Sequence, residues 1–127
     1  HLDHMGKVAR HEGASLVLAQ VKSLSGNLPV VVTGDFNAVP EDDPIKVLTD
    51  ANDPRCLTHT RTVAPLRYGP EWTFHDFGRI PLEKREWIDY IFVKGNIKVL
   101  RHGVLAESLG NLYPSDHCPV ISRILIQ

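Results

Sequence analysis

Pro29-Val30-Val31-Val32 is an unbroken apolar run that ends at Gly34, and it constrains this chain more than any other segment. It is too short for a helix and lacks polar alternation, so it predicts a strand buried on both faces of a sheet. The glycine lets the backbone turn sharply, which places Asp35 and Asn37 on the loop leaving the sheet edge. In α/β sheets ligands bind outside the carboxyl ends of the strands, where a rigid strand can hold a carboxylate and a carboxamide ready for chemistry. Taken alone, the same residues also fit an Asx turn capping the next helix.

The rest of the chain supports an α/β reading. Between Lys7 and Leu24, Ala9, Leu16, Val17, Val21 and Leu24 keep helical spacing, and Gly26 follows as a stop. Asp43-Pro44 reads as an N-cap and first-turn proline opening a short helix through Leu48. Residues 50 to 71 carry Asp53-Pro54, Pro65 and Gly69-Pro70 and predict a long surface loop. Three strands follow, over Trp87 to Val93, Ile97 to Leu105 and Pro119 to Ile126, with Gly95-Asn96 predicting a hairpin between the first two. There are no repeats and no low-complexity linker.

With 127 residues the chain makes one domain or part of one, and since it opens on His1 without an initiator methionine, it is expected to be cut from something longer. A net charge of -1 gives no bulk electrostatic drive toward long polyanions. No stretch reaches the roughly 18 apolar residues of a membrane span, and no basic-then-apolar leader opens the chain. Cys56 and Cys118 make neither a disulfide framework nor a zinc box, and Cys118, beside an apolar strand, reads as a buried thiol. His1, His4, His11 and His59 have no compact zinc-ligand spacing.

Polar groups gather at predicted strand ends and loops: His1 with Asp3 and His4, Asp35 with Asn37, His75 with Asp76, Asp89, and Asp116 with His117. Carboxylates with few soft ligands favour Mg²⁺ or Mn²⁺ over zinc. Hydrolysis of a phosphate ester needs a deprotonated water, charge neutralisation on the phosphoryl oxygens and help for the leaving oxygen, and these groups can provide all three. Asp89 stands inside Trp87-Ile88-Asp89-Tyr90-Ile91-Phe92, so it must meet solvent, a cation or a donor, because an unpartnered carboxylate buried there is costly. A histidine would serve as that partner, its ring oriented by the carboxylate. Trp72, Phe74 and His75 read as core or as a wall for substrate, and Arg79, Lys84 and Arg85 as a solvated basic face.

Taken in order, His1-Leu2-Asp3-His4, Gly34-Asp35-Phe36-Asn37, Trp72-Thr73-Phe74, Trp87 to Phe92 and Ser115-Asp116-His117-Cys118-Pro119-Val120 resemble the endonuclease/exonuclease/phosphatase superfamily. The resemblance implies half of a four-layer α/β sandwich of the deoxyribonuclease type, a mixed, mainly antiparallel sheet with flanking helices. Residues 1–127 would form the C-terminal part of one such domain. The N-terminal half, with the family's metal-binding glutamate, would be missing, and one sheet would lack its apolar cover. The implied activity is Mg²⁺- or Mn²⁺-dependent hydrolysis of a phosphate ester, whether small molecule, lipid headgroup or nucleic acid, weak or absent until the other half or a second copy completes the site. The implied roles are water activation by Asp35, placement of Asp35 and the phosphate by Asn37, and transition-state stabilisation by His117 oriented by Asp89. His1 would contact the scissile phosphate, Asp116 would be the metal-associated aspartate alongside Asp35 and Asn37, and Asp3 and His4 would stand behind the site. The competing reading is an inactive interaction module that keeps the fold; the retention of Asp35, Asn37, Asp89, Asp116 and His117 together argues against it, since clustered carboxylates destabilise a fold that has no use for them.

Overall fold

The computed structural model describes residues 1–110 and 112–127. Its helices are α1 (Lys7–Ser25), α2 (Asp43–Thr49) and the single turn α3 (Thr60–Val63). Its strands are β1 (Val30–Asp35), β2 (Thr58–His59), β3 (Leu66–Tyr68), β4 (Asp89–Lys94), β5 (Ile97–Val104) and β6 (Val120–Ile126), with a 3₁₀ turn at Leu82–Lys84. The strands form two three-stranded sheets, ordered β1-β4-β2 and β3-β5-β6, in which the β3–β5 pair is parallel and every other pair antiparallel. No helix among the described residues is long and apolar enough to cross a membrane.

Four expectations change. β1 is an edge strand with one open face, not a strand buried on both sides: Val31 is 44% exposed while Val32 packs inward. Three apolar residues in a row do not reveal how many faces are covered. The expected 50–71 loop contains β2, α3 and β3, elements too short to leave a periodic pattern and formed because β4 and β5 offer them backbone partners. The expected hairpin at Gly95-Asn96 is instead a crossing between sheets, since β4 pairs with β1 and β2 while β5 pairs with β3 and β6. Gly95 makes that crossing with φ 87°, where a Cβ would come within 3.2 Å of Pro29 Cα. In α1 the inward stripe is Ala14 and Leu18 with Val17 and Val21, leaving Leu16 on the far side and Leu24 beyond the core.

The larger core joins Ala14 and Leu18 of α1 and Ile45 and Leu48 of α2 to Phe36, Tyr90 and Phe92. Tyr90 and Phe92 stack at 5.2 Å with Phe36 edge-on to both, and the Tyr90 hydroxyl donates to Ala38 O and Trp87 O. A smaller cluster of Ala64, Val93 and Val99 lies between the sheets. Leu66, Ile121 and Leu125 remain about half exposed on the strands of the second sheet.

His59 and His102 are buried and neutral. Burial foremost, with neighbouring positive charge, pushes His59 down to about 3 and His102 down to about 4. The unfolded chain takes up these protons near the ordinary histidine value of about 6.5, whereas the folded chain does so only well below it, so their contribution is complete above that pH and is lost as the pH falls toward 4. We expect each histidine to remove up to about 1.4 kcal/mol of stability per pH unit in that window. Urea-unfolding midpoints measured from pH 7.5 downward would show the slope, and His102→Asn should make it about half as steep.

Candidate active site

Antiparallel pairing of β1 with β4 sets Asp35 directly opposite Asp89. Because side chains alternate along a strand, both carboxylates share the face opposite Tyr90 and Phe92. Their side chains are only 14% and 18% exposed, so the fold holds two like charges together in a half-buried place. The surrounding donors explain how. Asp89 Oδ2 accepts from the Thr73 hydroxyl at 2.6 Å and lies 2.8 Å from His117 Nδ1, while Asp35 Oδ2 lies 3.2 Å from His1 Nε2. Ligand atoms of Asp35, Asp89 and His117 lie within 4.8 Å of one another.

Thr73 lies within Trp72-Thr73-Phe74, but nothing in the sequence assigns its hydroxyl a role. It has no exposed surface; its hydroxyl donates to Asp89 and accepts the backbone N–H groups of Ile88 and Asp89. Thr73 N and Phe74 N donate to Glu86 O, and Cys118 N donates to Thr73 O at 2.7 Å. The 73–74 segment therefore ties the start of β4 to the loop carrying His117. Phe74 packs on the His117 ring at 4.8 Å, and Ser115 Oγ accepts the His117 N–H. Cys118, buried beside this tie, has its thiol pushed up to about 11 by burial.

Asn37 closes the other side. With φ 47° it occupies the left-handed region that asparagine tolerates better than most residues, and its N–H donates to Asp35 Oδ1 at 2.8 Å. Its Nδ2 donates to Leu2 O at 2.8 Å and stands 3.4 Å from His1 Nε2. The Asx turn allowed by the sequence is thus present, and here it positions the carboxylate. Asn37→Ala is expected to lower the thermal midpoint, at a cost of about 1–2 kcal/mol, through left-handed strain and the lost bond to Leu2 O. Asn37→Gly should recover the strain component, as scanning calorimetry of the two variants would show.

Other singled-out residues sit elsewhere. Asp116 is not in the group formed by Asp35, Asp89 and His117; its carboxylate accepts from the Ser115 hydroxyl at 3.3 Å and its carbonyl accepts from His75 N and Asp76 N. His75 is 2% exposed, its Nδ1 accepting the Gly78 N–H, so it is buried turn structure and does not line a substrate wall. Burial, then Arg85, lowers its proton affinity. Trp72 is half-buried under Arg85, whose guanidinium carbon is 4.4 Å from the ring centroid, which leaves Phe74 as the aromatic in direct contact with His117. Asp3 serves the start of α1 instead of the carboxylates: it accepts the N–H groups of Gly6 and Met5, and the Gly6 bond chiefly holds its pKa below the usual value.

Two facing carboxylates suit a hard divalent cation, which takes oxygen ligands and keeps several waters. His117 already shares Nδ1 with Asp89, so oxygen donors dominate what this face offers.

The profile of the Endonuclease/Exonuclease/phosphatase family matches residues 6–117. Protein angel of Drosophila melanogaster is 30% identical over 104 residues, which cover 80% of this chain and 28% of that protein. Among solved structures, an endonuclease/exonuclease/phosphatase from Bacteroides vulgatus superposes with a TM-score of 0.91 at 35% identity, covering 100% of this chain and 48% of that one. A Bacteroides thetaiotaomicron mannosyl-6-phosphatase superposes with a TM-score of 0.85 at 33% identity, covering 98% and 49%. The human nocturnin catalytic domain shares the fold, with a TM-score of 0.72 at 20% identity over 100% of this chain and 45% of that one. The chain spans about half the length of these solved structures.

Proposed function

Because the chain belongs to the endonuclease/exonuclease/phosphatase family, we propose that it forms part of a metal-dependent phosphoesterase in which water, activated at Asp35, attacks a phosphate ester. The observation that carries this reading is the register pair Asp35–Asp89 with His117 bonded to Asp89. An Asx turn fixes the Asp35 carboxylate, which takes the proton of the attacking water. Asp89 engages His117 Nδ1 and so aims Nε2 at the phosphoryl oxygen that gains charge as the water oxygen bonds to phosphorus and the ester oxygen departs. His1 and the Asn37 side chain, adjacent at 3.4 Å, hold a non-bridging oxygen of the phosphate. Asp116 acts from behind, through Ser115, by seating the His117 backbone.

Mg²⁺ or Mn²⁺, held at the Asp35–Asp89 face with Asn37 beside it, would supply charge neutralisation for the phosphoryl group. Asp35 and Asp89 are hard oxygen donors already held together by the fold, an arrangement that repulsion alone would oppose. Near-neutral charge favours a small phosphorylated metabolite over a long nucleic acid, and the similarity to a mannosyl-6-phosphatase supports a sugar phosphate. Phosphate release from a hexose 6-phosphate and hydrolysis of bis-(p-nitrophenyl) phosphate, by the full-length protein with Mg²⁺, with Mn²⁺ and with EDTA, test this. Turnover that EDTA abolishes is the expected result; turnover unaffected by EDTA would overturn the metal-dependent reading.

A further inference from the structure

Where Gly95 carries the chain out of β4 and into β5, a cavity of about 670 Å³ is lined by residues of both sheets, among them Val93 and Lys94 of the first and Ile97 and Val99 of the second. That volume falls in the range of about 300–1,000 Å³ typical of small-molecule sites. The cavity lies at the far end of β4 from the candidate active site. Lys94 pairs with Val30, whereas Asp89 pairs with Asp35, so roughly 17 Å of strand separates Lys94 from Asp89.

Its walls are apolar and its charge is of one sign. Val63, Pro65, Val93, Ile97 and Val99 supply the apolar surface, Lys94 and Lys98 supply the charge, and no carboxylate lines it. Lys94 is half-buried, and its ammonium donates to Pro54 O at 2.6 Å and to Cys56 O at 3.4 Å. Carbonyl oxygens orient an ammonium without neutralising it, and a third N–H is left over. Neither lysine forms an ion pair among the described residues. Asp53, held to about 2 by Arg55 and, more weakly, by Lys94, lies outside the lining and is already engaged by Arg55 through Nε and Nη2. We infer that this cavity binds an alkyl anion, with a carboxylate or phosphate head on Lys94 and a short carbon chain against Val63, Ile97 and Val99. A cation would meet two like charges, a neutral apolar molecule would leave the ammonium without a counter-charge, and a wholly hydrophilic anion would leave the valine wall wet; an anion with an apolar chain answers both halves of the lining. The site is separate from Asp35, Asp89 and His117 and stands whether or not the chemistry proposed for them is right.

Octanoate, octyl phosphate and octanol, each below the concentration at which it self-associates, would be titrated into ¹³C-labelled full-length protein. The Ile97 and Val99 methyl groups report the cavity and the His117 ring reports the candidate active site. The expected result is a saturable shift of both methyl groups, with at least one of the anions binding at least about ten-fold more tightly than octanol. The tighter of octanoate and octyl phosphate names the head group. Lys94→Met keeps the length of the stem and removes the charge, so it should bring the anions down to the affinity of octanol. Because Lys94 also holds the 54–56 turn, Val63→Asp is the second variant: at a wall position that is 51% exposed it sets a carboxylate against the incoming head and should weaken the anions at least about ten-fold more than it weakens octanol. Equal affinity for octanol and both anions, anion binding that neither substitution changes, or shifts confined to the His117 ring would overturn the inference.

Discussion

Full-length protein carrying Asp35→Asn is expected to lose at least about 10²-fold in kcat while unfolding at the same temperature as the wild type or slightly above it. The two effects separate because Asp35 and Asp89 are directly opposed on one face of an antiparallel pair, an arrangement of like charges that costs stability. Asparagine keeps the Oδ1 that accepts the Asn37 N–H at 2.8 Å, so the Asx turn survives. What disappears is the negative charge and the basic oxygen. A catalytic role for Asp35 thus predicts a slow enzyme of undiminished stability, the trade expected where a site is held against local electrostatics. Steady-state kinetics beside calorimetry decides it: a large drop in melting temperature with kcat preserved would make Asp35 a structural residue.

Thr73→Val is expected to act on both quantities. Valine keeps the shape of the side chain but removes the hydroxyl that donates to Asp89 Oδ2 and accepts from Ile88 N and Asp89 N. Two backbone donors at a fully buried position lose their acceptor, at about 1–3 kcal/mol for each group left unpaired, for an expected loss of about 2–6 kcal/mol. Asp89 retains only His117 as an oriented partner, so kcat should fall by about ten-fold as the imidazole loses its fixed direction. Thr73→Ser retains the hydroxyl and should restore kcat, leaving a smaller stability loss for the missing methyl. If serine fails to rescue kcat, Thr73 acts through packing and not through Asp89.

These two residues also show how unevenly the site was legible. Asp35 stood out because an apolar run led into it, and Asp89 because a carboxylate inside an aromatic strand demands a partner. That demand is met by His117 and Thr73. His117 carried its own signal in Ser115-Asp116-His117, whereas threonine is an ordinary strand and turn residue, and Thr73 was visible as part of Trp72-Thr73-Phe74 without a role of its own. His75 shows the converse: a polar residue beside a motif need not face the same way, and His75, 2% exposed with its N–H donating to Asp116 O, lies in the core.

Local pattern determined α1, α2 and the long strands, because helix stops, proline positions and apolar runs act over a few neighbouring residues. Tertiary structure alone decided that β1 has an open face, that β4 and β5 part at Gly95 into separate sheets, and that the supposed loop supplies β2, α3 and β3. It also decided that Asp35 and Asp89, 54 positions apart in the chain, stand opposite each other. Pairing and register depend on which distant backbone offers hydrogen bonds and which face can be buried, and a slip of one residue would turn either carboxylate toward the core.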